Sequence, residues 1–207
     1  TSRHPKQFKT DDLKTYKESF QMLEMNIDSS SKIKKALKQV LKIAGQIDVV
    51  INSVGYSLAG SIEDTSIEEV QQTFNTNFFG VHRVCQQVIP VMRKQGEGKI
   101  INISSLIGLV GIPFQGFYAA TKYALEGYTE ALRLELEPFN ISVSVIEPGD
   151  FNTPLTDHRR IAKKCKLSSV YWQRFSHAIK EVEKAERKGE SPEKLAGLIA
   201  KIIKSPF

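Results

Sequence analysis

Three short apolar runs constrain this chain most. Ile47-Asp48-Val49-Val50-Ile51, Lys99-Ile100-Ile101-Asn102-Ile103 and Ile141-Ser142-Val143-Ser144-Val145-Ile146 are each too short for a helix and are bounded by turn residues. Nearly continuous apolar character marks strands covered on both faces. Between them lie stretches with helical periodicity. One carries Ile33, Leu37, Val40 and Leu41; a longer one carries Ile67, Val70, Phe74, Phe78, Val81, Val84 and Val88. A third runs through Tyr118 and Lys122 to about Pro138, and Ser191-Pro192-Glu193 starts a last one, with Ser as N-cap and Pro in the first helical position. Phe20–Ile27 reads as a further strand ending at Asp28. Strands separated by helices imply crossover connections, so the expected class is α/β: a doubly wound parallel sheet with helices on both faces.

In such a sheet ligands bind beyond the carboxyl ends of the strands. The punctuation falls there: Asp28, Asn52-Ser53-Val54-Gly55, Ser104-Ser105 and Pro148 to Thr153. A chain of 207 residues supports one sizeable core, and no internal repeat or low-complexity linker divides it, so residues 1–207 read as one domain. No apolar run approaches the ~18 residues of a membrane span. Cys85 and Cys165 stand far apart, without the spacing of a disulfide framework or zinc site, and no metal is expected. Cys85, inside a helical apolar pattern, reads as a small core residue. The net charge of +6 divides into +5 over residues 1–42, −7 over 43–158 and +8 over 159–207. Many of the basic residues alternate with Glu, as in Lys180–Lys188, which is the pattern of a solvated helix face. Nucleic acid is not the expected partner.

Tyr118 and Lys122 lie four residues apart on a helix and so share a face. A fixed cation beside a phenol favours phenolate and should lower its pKa toward a working range. The pair alone is equally consistent with an amphipathic helix surface. Its company decides: Asn77 within Asn75–Gly80, Ser104-Ser105-Leu106-Ile107-Gly108 upstream and Pro148-Gly149-Asp150-Phe151-Asn152-Thr153 downstream.

In order and spacing these motifs resemble the short-chain dehydrogenase/reductase family over essentially the whole chain. Phe117–Gly127 is similar to its hydroxysteroid and retinol dehydrogenase branch. The resemblance implies a Rossmann-like domain binding NAD(P), and an activity that interconverts an alcohol and a carbonyl. It implies Tyr118 as general acid/base and Ser105 as the hydrogen-bond partner of the substrate oxygen, with Ser104 a competing candidate. Lys122 would tune the tyrosine and bind ribose, and Asn77 would anchor a water in the proton path. Cofactor contacts would come from Tyr118, Lys122, Arg3, Asp28, Asn52, Gly55, Pro148, Gly149 and Thr153. Arg3, at the end of the strand that selects the cofactor, suits a 2′-phosphate, with Lys6 assisting, so NADP(H) is expected over NAD(H).

The family's glycine-rich TGxxxGxG turn is not found in this chain, and its last strand is missing as well. The expectation is a truncated portion of a longer enzyme, with the first and last strands absent. The apolar loop Leu106–Phe114, and a lid over residues 154–190 bearing Tyr171, Trp172 and Phe175, imply a lipophilic alcohol, ketone or aldehyde as substrate. Helices around Val70–Val88 and Ala119–Leu136 resemble those that pair subunits, implying a homodimer or homotetramer; the expected location is cytoplasmic. Two alternatives stay open: an NAD-linked dehydrogenase of the same class, and a non-catalytic relative that senses nucleotides. A sugar-nucleotide epimerase or dehydratase would share Tyr-x-x-x-Lys but usually needs a larger C-terminal domain.

Overall fold

The computed structural model describes residues 20–206. The sheet contains β1 (Val49–Asn52), β3 (Gly98–Ile103) and β4 (Ile141–Ile146), parallel and in the order β1-β3-β4. Val49 pairs with Lys99, and Gly98 with Ile141, so the carboxyl ends of all three strands open on one side. Ile100 and Ile101, on opposite faces of β3, are both fully buried. That burial on two sides is why the central run carries so little polar alternation.

Helix α1 (Ser30–Ala44) is capped by Ser29 and stops at Gly45 in the left-handed conformation. Helix α2 (Ile67–Phe74) opens with a capping box between Ser66 and Glu69. It continues through a single π turn, Asn75–Phe79, into α3 (Gly80–Gln95). Helix α4 (Gly116–Leu136) packs along β4, and α1 packs on α3. Ile33, Val81, Val84, Val88, Met92, Leu125, Leu132 and Leu136 meet the strand residues in one core. Cys85 belongs to that core, and burial pushes its thiol up to about 11, the state of an inert packing residue.

Phe20–Ile27 does not form the expected strand. Glu24 carries an isolated bridge, and no described strand lies beside the segment to extend a ladder. Its Ile27 is instead a core residue, packed against the backbone of Gly80.

The segment expected to form a lid has a core of its own. Strand β5 (Arg160–Ile161) pairs in parallel with β2 (Leu58–Ala59). Helix α5 (Trp172–Arg187) buries Phe175 and Ile179 against Ala59, Ala162 and Cys165. Phe175 is only 2% exposed, with Phe114 set edge-on to its ring. The lid aromatics therefore hold the lid together rather than presenting a free apolar surface. The Tyr171 hydroxyl donates to Glu63 at the surface. Helix α6 (Pro192–Lys204) follows, with Ser191 accepting from Glu193 N–H as the sequence indicates.

Candidate active site

The turns that follow β1, β3 and β4 meet the segment expected to form the lid around one cavity of about 640 Å³. Ser53–Gly55 form one wall, Ser104–Ile107 a second and Pro148–Phe151 a third, while Val182, Ala185 and Glu186 of α5 close over it. Ser105, Tyr118 and Lys122 line this space, as do Gly55, Pro148, Gly149 and Thr153. Each of these is a site residue expected from the sequence.

Tyr118 and Lys122 are 6% and 4% exposed, which two charged or polar heads tolerate only with partners. Lys122 Nζ donates to the Ile103 carbonyl at 2.9 Å and stands 5.8 Å from the centre of the Tyr118 ring. Ser105, in extended conformation at the end of β3, caps the short turn Leu106–Gly108 and accepts from Ile107 N–H. The phenol's pKa contradicts the expectation of a lowered value. Burial pushes Tyr118 up to about 12, against a smaller opposing effect of the Ser105 hydroxyl. The same burial lowers Lys122 to about 8, partly offset by Glu126. Burial sets the direction of the Tyr118 shift, and the cation that partly opposes it is Arg159 rather than Lys122.

The two serines separate by their neighbours. Ser105 faces the phenol, whereas the Ser104 hydroxyl is buried beside Glu126, whose carboxyl burial pushes up. A side chain at Gly108 would come within 2.9 Å of Ser104 Oγ and 3.1 Å of Glu126 Oε1, so glycine is needed for that approach. Tyr118, Lys122 and Glu126 form one row at successive turns of α4.

Three expected site residues lie off the cavity lining. Asn77, fully buried in the π turn, accepts from Tyr56 N–H with Oδ1 and donates through Nδ2 to the Tyr56 carbonyl and Thr121 Oγ1. Its side chain is a clamp on the β1 turn and does not line the cavity. Asn52 donates to Asn102 Oδ1 at 2.8 Å, linking β1 to β3 beneath the cavity floor. The wall itself begins one residue later, because alternation along the strand turns the Asn52 side chain into the core. Asp28 accepts from Thr76 Oγ1 at 3.0 Å and is not among the lining residues. Arg3 lies outside the described residues.

Sequence reasoning passed over Gln115 and Arg159. Gln115 is 1% exposed, lines the cavity and accepts from Ser57 Oγ at 3.1 Å. Arg159 reaches Ser57 from the lid and pairs with Glu183 and Glu186. The only signal in the sequence was the position of Gln115 three residues before Tyr118. Among the described residues no cluster of His, Cys, Asp or Glu could hold a metal ion, and no helix is long and apolar enough to cross a membrane.

The chain matches the model of the short chain dehydrogenase family over residues 3–164. It is 46% identical over 182 residues to the 3-ketodihydrosphingosine reductase of Bacteroides thetaiotaomicron, an alignment covering 88% of this chain and 68% of that protein. It is 45% identical over 107 residues to human retinol dehydrogenase 8, covering 52% of this chain and 34% of that one, so it spans about a third of that relative's length. Among solved structures, a short-chain dehydrogenase from Streptomyces avermitilis superposes with a TM-score of 0.82 at 27% identity, over 95% of this chain and 72% of that chain. With a family model across most of its length and a relative nearly half identical, this chain belongs to the short-chain dehydrogenases, a family of NAD(P)-dependent oxidoreductases.

Proposed function

We propose that the protein interconverts a carbonyl and an alcohol on a lipophilic molecule, with Tyr118 as the proton donor and acceptor. One observation carries this reading: the buried Tyr118 phenol faces Ser105, beside the Lys122 ammonium, inside a cavity built from three strand ends. The phenol is protonated at neutral pH and can donate to a carbonyl oxygen as hydride arrives at the carbonyl carbon. Ser105 would hydrogen-bond that oxygen and stabilise its developing charge. Asn77 would serve by fixing the β1 turn rather than by touching a reactant.

The residues present fit the nicotinamide and ribose portion of a dinucleotide, while the glycine-rich turn that would hold the pyrophosphate is not among them. Gly55, at φ +152°, lets backbone form the wall after β1, and Pro148, Gly149 and Thr153 line the same space as Tyr118. Lys122 would hold the ribose hydroxyls. When bound, the nicotinamide supplies or accepts the hydride. Arg3 favours NADP(H) over NAD(H) by matching a 2′-phosphate. Apolar lining from Leu106, Ile107, Val110, Ile112 and Leu195 suits a lipophilic substrate. The relatives named for 3-ketodihydrosphingosine and retinol support the same class. Exposed Phe79 in the π turn, and Tyr123 and Leu134 on α4, support a homo-oligomer.

The test is reduction of long-chain ketones, 3-ketodihydrosphingosine among them, with NADPH and with NADH. Turnover with NADPH at least about tenfold above NADH is expected, and Arg3→Asp should reverse the preference. Nucleotide binding without turnover of any ketone or alcohol would favour a non-catalytic relative.

A further inference from the structure

We infer that Gln115 is a second polar contact for the substrate, selecting a ketone that carries a further oxygen substituent near the reacting carbonyl. The inference rests on the reading of Tyr118 given above. Gln115 immediately precedes α4, three residues before Tyr118, so both side chains reach the same side of the helix start and line the same cavity. Its burial is not explained by capping, since its side chain makes no cap hydrogen bond to α4.

The Ser57 hydroxyl donates to Gln115 Oε1 at 3.1 Å and accepts from Arg159 Nε at 3.5 Å. Gln115 Nε2 is left as a donor, and it finds no acceptor among the described residues. A buried amide N–H without a partner is destabilising unless a bound group accepts it. A donor selects a hydroxyl, carbonyl or ether oxygen; neither an ammonium nor a hydrocarbon satisfies it. The wall mixes apolar residues with Thr153, Thr156, Glu181 and Glu186, and an oxygen bound to Gln115 would fix the substrate's orientation among them.

The experiment compares three ketones of equal chain length: an α-hydroxy ketone, a β-hydroxy ketone and the unsubstituted ketone. Wild-type protein, Gln115→Met and Tyr118→Phe are assayed with NADPH and NADH, reading KM and kcat separately. Wild type should favour at least one hydroxy ketone by about tenfold in kcat/KM, mostly through KM. In Gln115→Met, whose side chain has similar volume and no donor, that ratio should fall to about one. Gln115→Leu, which removes the donor without adding a titratable group, should lose the ratio as well. A hydroxy-to-unsubstituted ratio unchanged in both variants overturns the role of Gln115 while leaving the Tyr118 reading intact. Failure of wild type to reduce any of the three, or full activity in Tyr118→Phe, overturns that reading and this inference with it.

Discussion

Asn77 holds both backbone groups of Tyr56: its Oδ1 accepts from Tyr56 N–H at 3.1 Å, and its Nδ2 donates to the Tyr56 carbonyl at 3.0 Å. The bond pair ties the π turn between α2 and α3 to the chain leaving β1. It also sets the space at Gly55, where an added Cβ would stand 3.1 Å from the same Oδ1. A π turn at such a point places one amide where regular helical spacing would not.

Replacing Asn77 by Leu leaves the Tyr56 N–H and C=O without their partner in a buried setting. A loss of about 2–4 kcal/mol in unfolding free energy is expected from urea denaturation. Gly55→Ala should cost about 1–2 kcal/mol through its positive φ and the crowding at Asn77. Wild-type stability in Asn77→Leu would remove the clamp from the account.

Lys122 gives stability a distinctive pH dependence. Its folded pKa of about 8 lies below the 10.5 of a free lysine, so between these values the unfolded chain binds more protons than the native one. Stability from this group should therefore rise with pH across that window, and be lost as pH falls through about 8. Tyr118, raised to about 12 from 10, acts oppositely in the window above pH 10. Denaturation curves for Lys122→Met should lack the rise between about pH 8 and 10.5. An unchanged slope would place the ammonium in water.

The lid is pinned beside the cavity by Arg159, whose side chain is 3% exposed and meets Glu183 at 3.4 Å and Glu186. Glu186 also accepts from Thr156 Oγ1 at 2.8 Å. Only the Arg159 side of these pairs is buried, so water can resolvate the carboxylates and removing the cation should cost about 1–2 kcal/mol. Arg159→Met should accelerate hydrogen exchange along α5 and raise KM more than it lowers kcat. Protection of α5 equal to wild type would mean that the apolar contacts of Phe175 and Ile179 alone hold the lid.

The apolar strand runs were the most legible elements, although only β3 is buried on both faces: β1 leaves Ile51 43% exposed and β4 is half-buried on one side. Residues 141–146 coincide with β4, and 99–103 fall within one residue of β3, because continuous apolar character has few other uses. Ser105, Tyr118 and Lys122 were legible as a spacing, and the structure brings them to one cavity. What spacing could not show was burial. It reverses the expected pKa shift of Tyr118, turns Phe175 inward and makes single polar residues such as Gln115 and Glu126 consequential. Strands β2 and β5, two residues each, join segments about a hundred positions apart and leave no pattern of their own. Asn52 was selected for the turn it begins, although its side chain belongs to the strand and bonds Asn102.

The central claim is that Tyr118 moves the proton, and Tyr118→Phe tests it with least disturbance, since only the hydroxyl is lost from a buried ring. Steady-state turnover of a ketone reduced by the wild-type protein, measured beside cofactor affinity, is the decisive comparison. A fall in kcat of about 10²–10⁴-fold with nucleotide affinity within about twofold of wild type is expected. Turnover equal to wild type would contradict it.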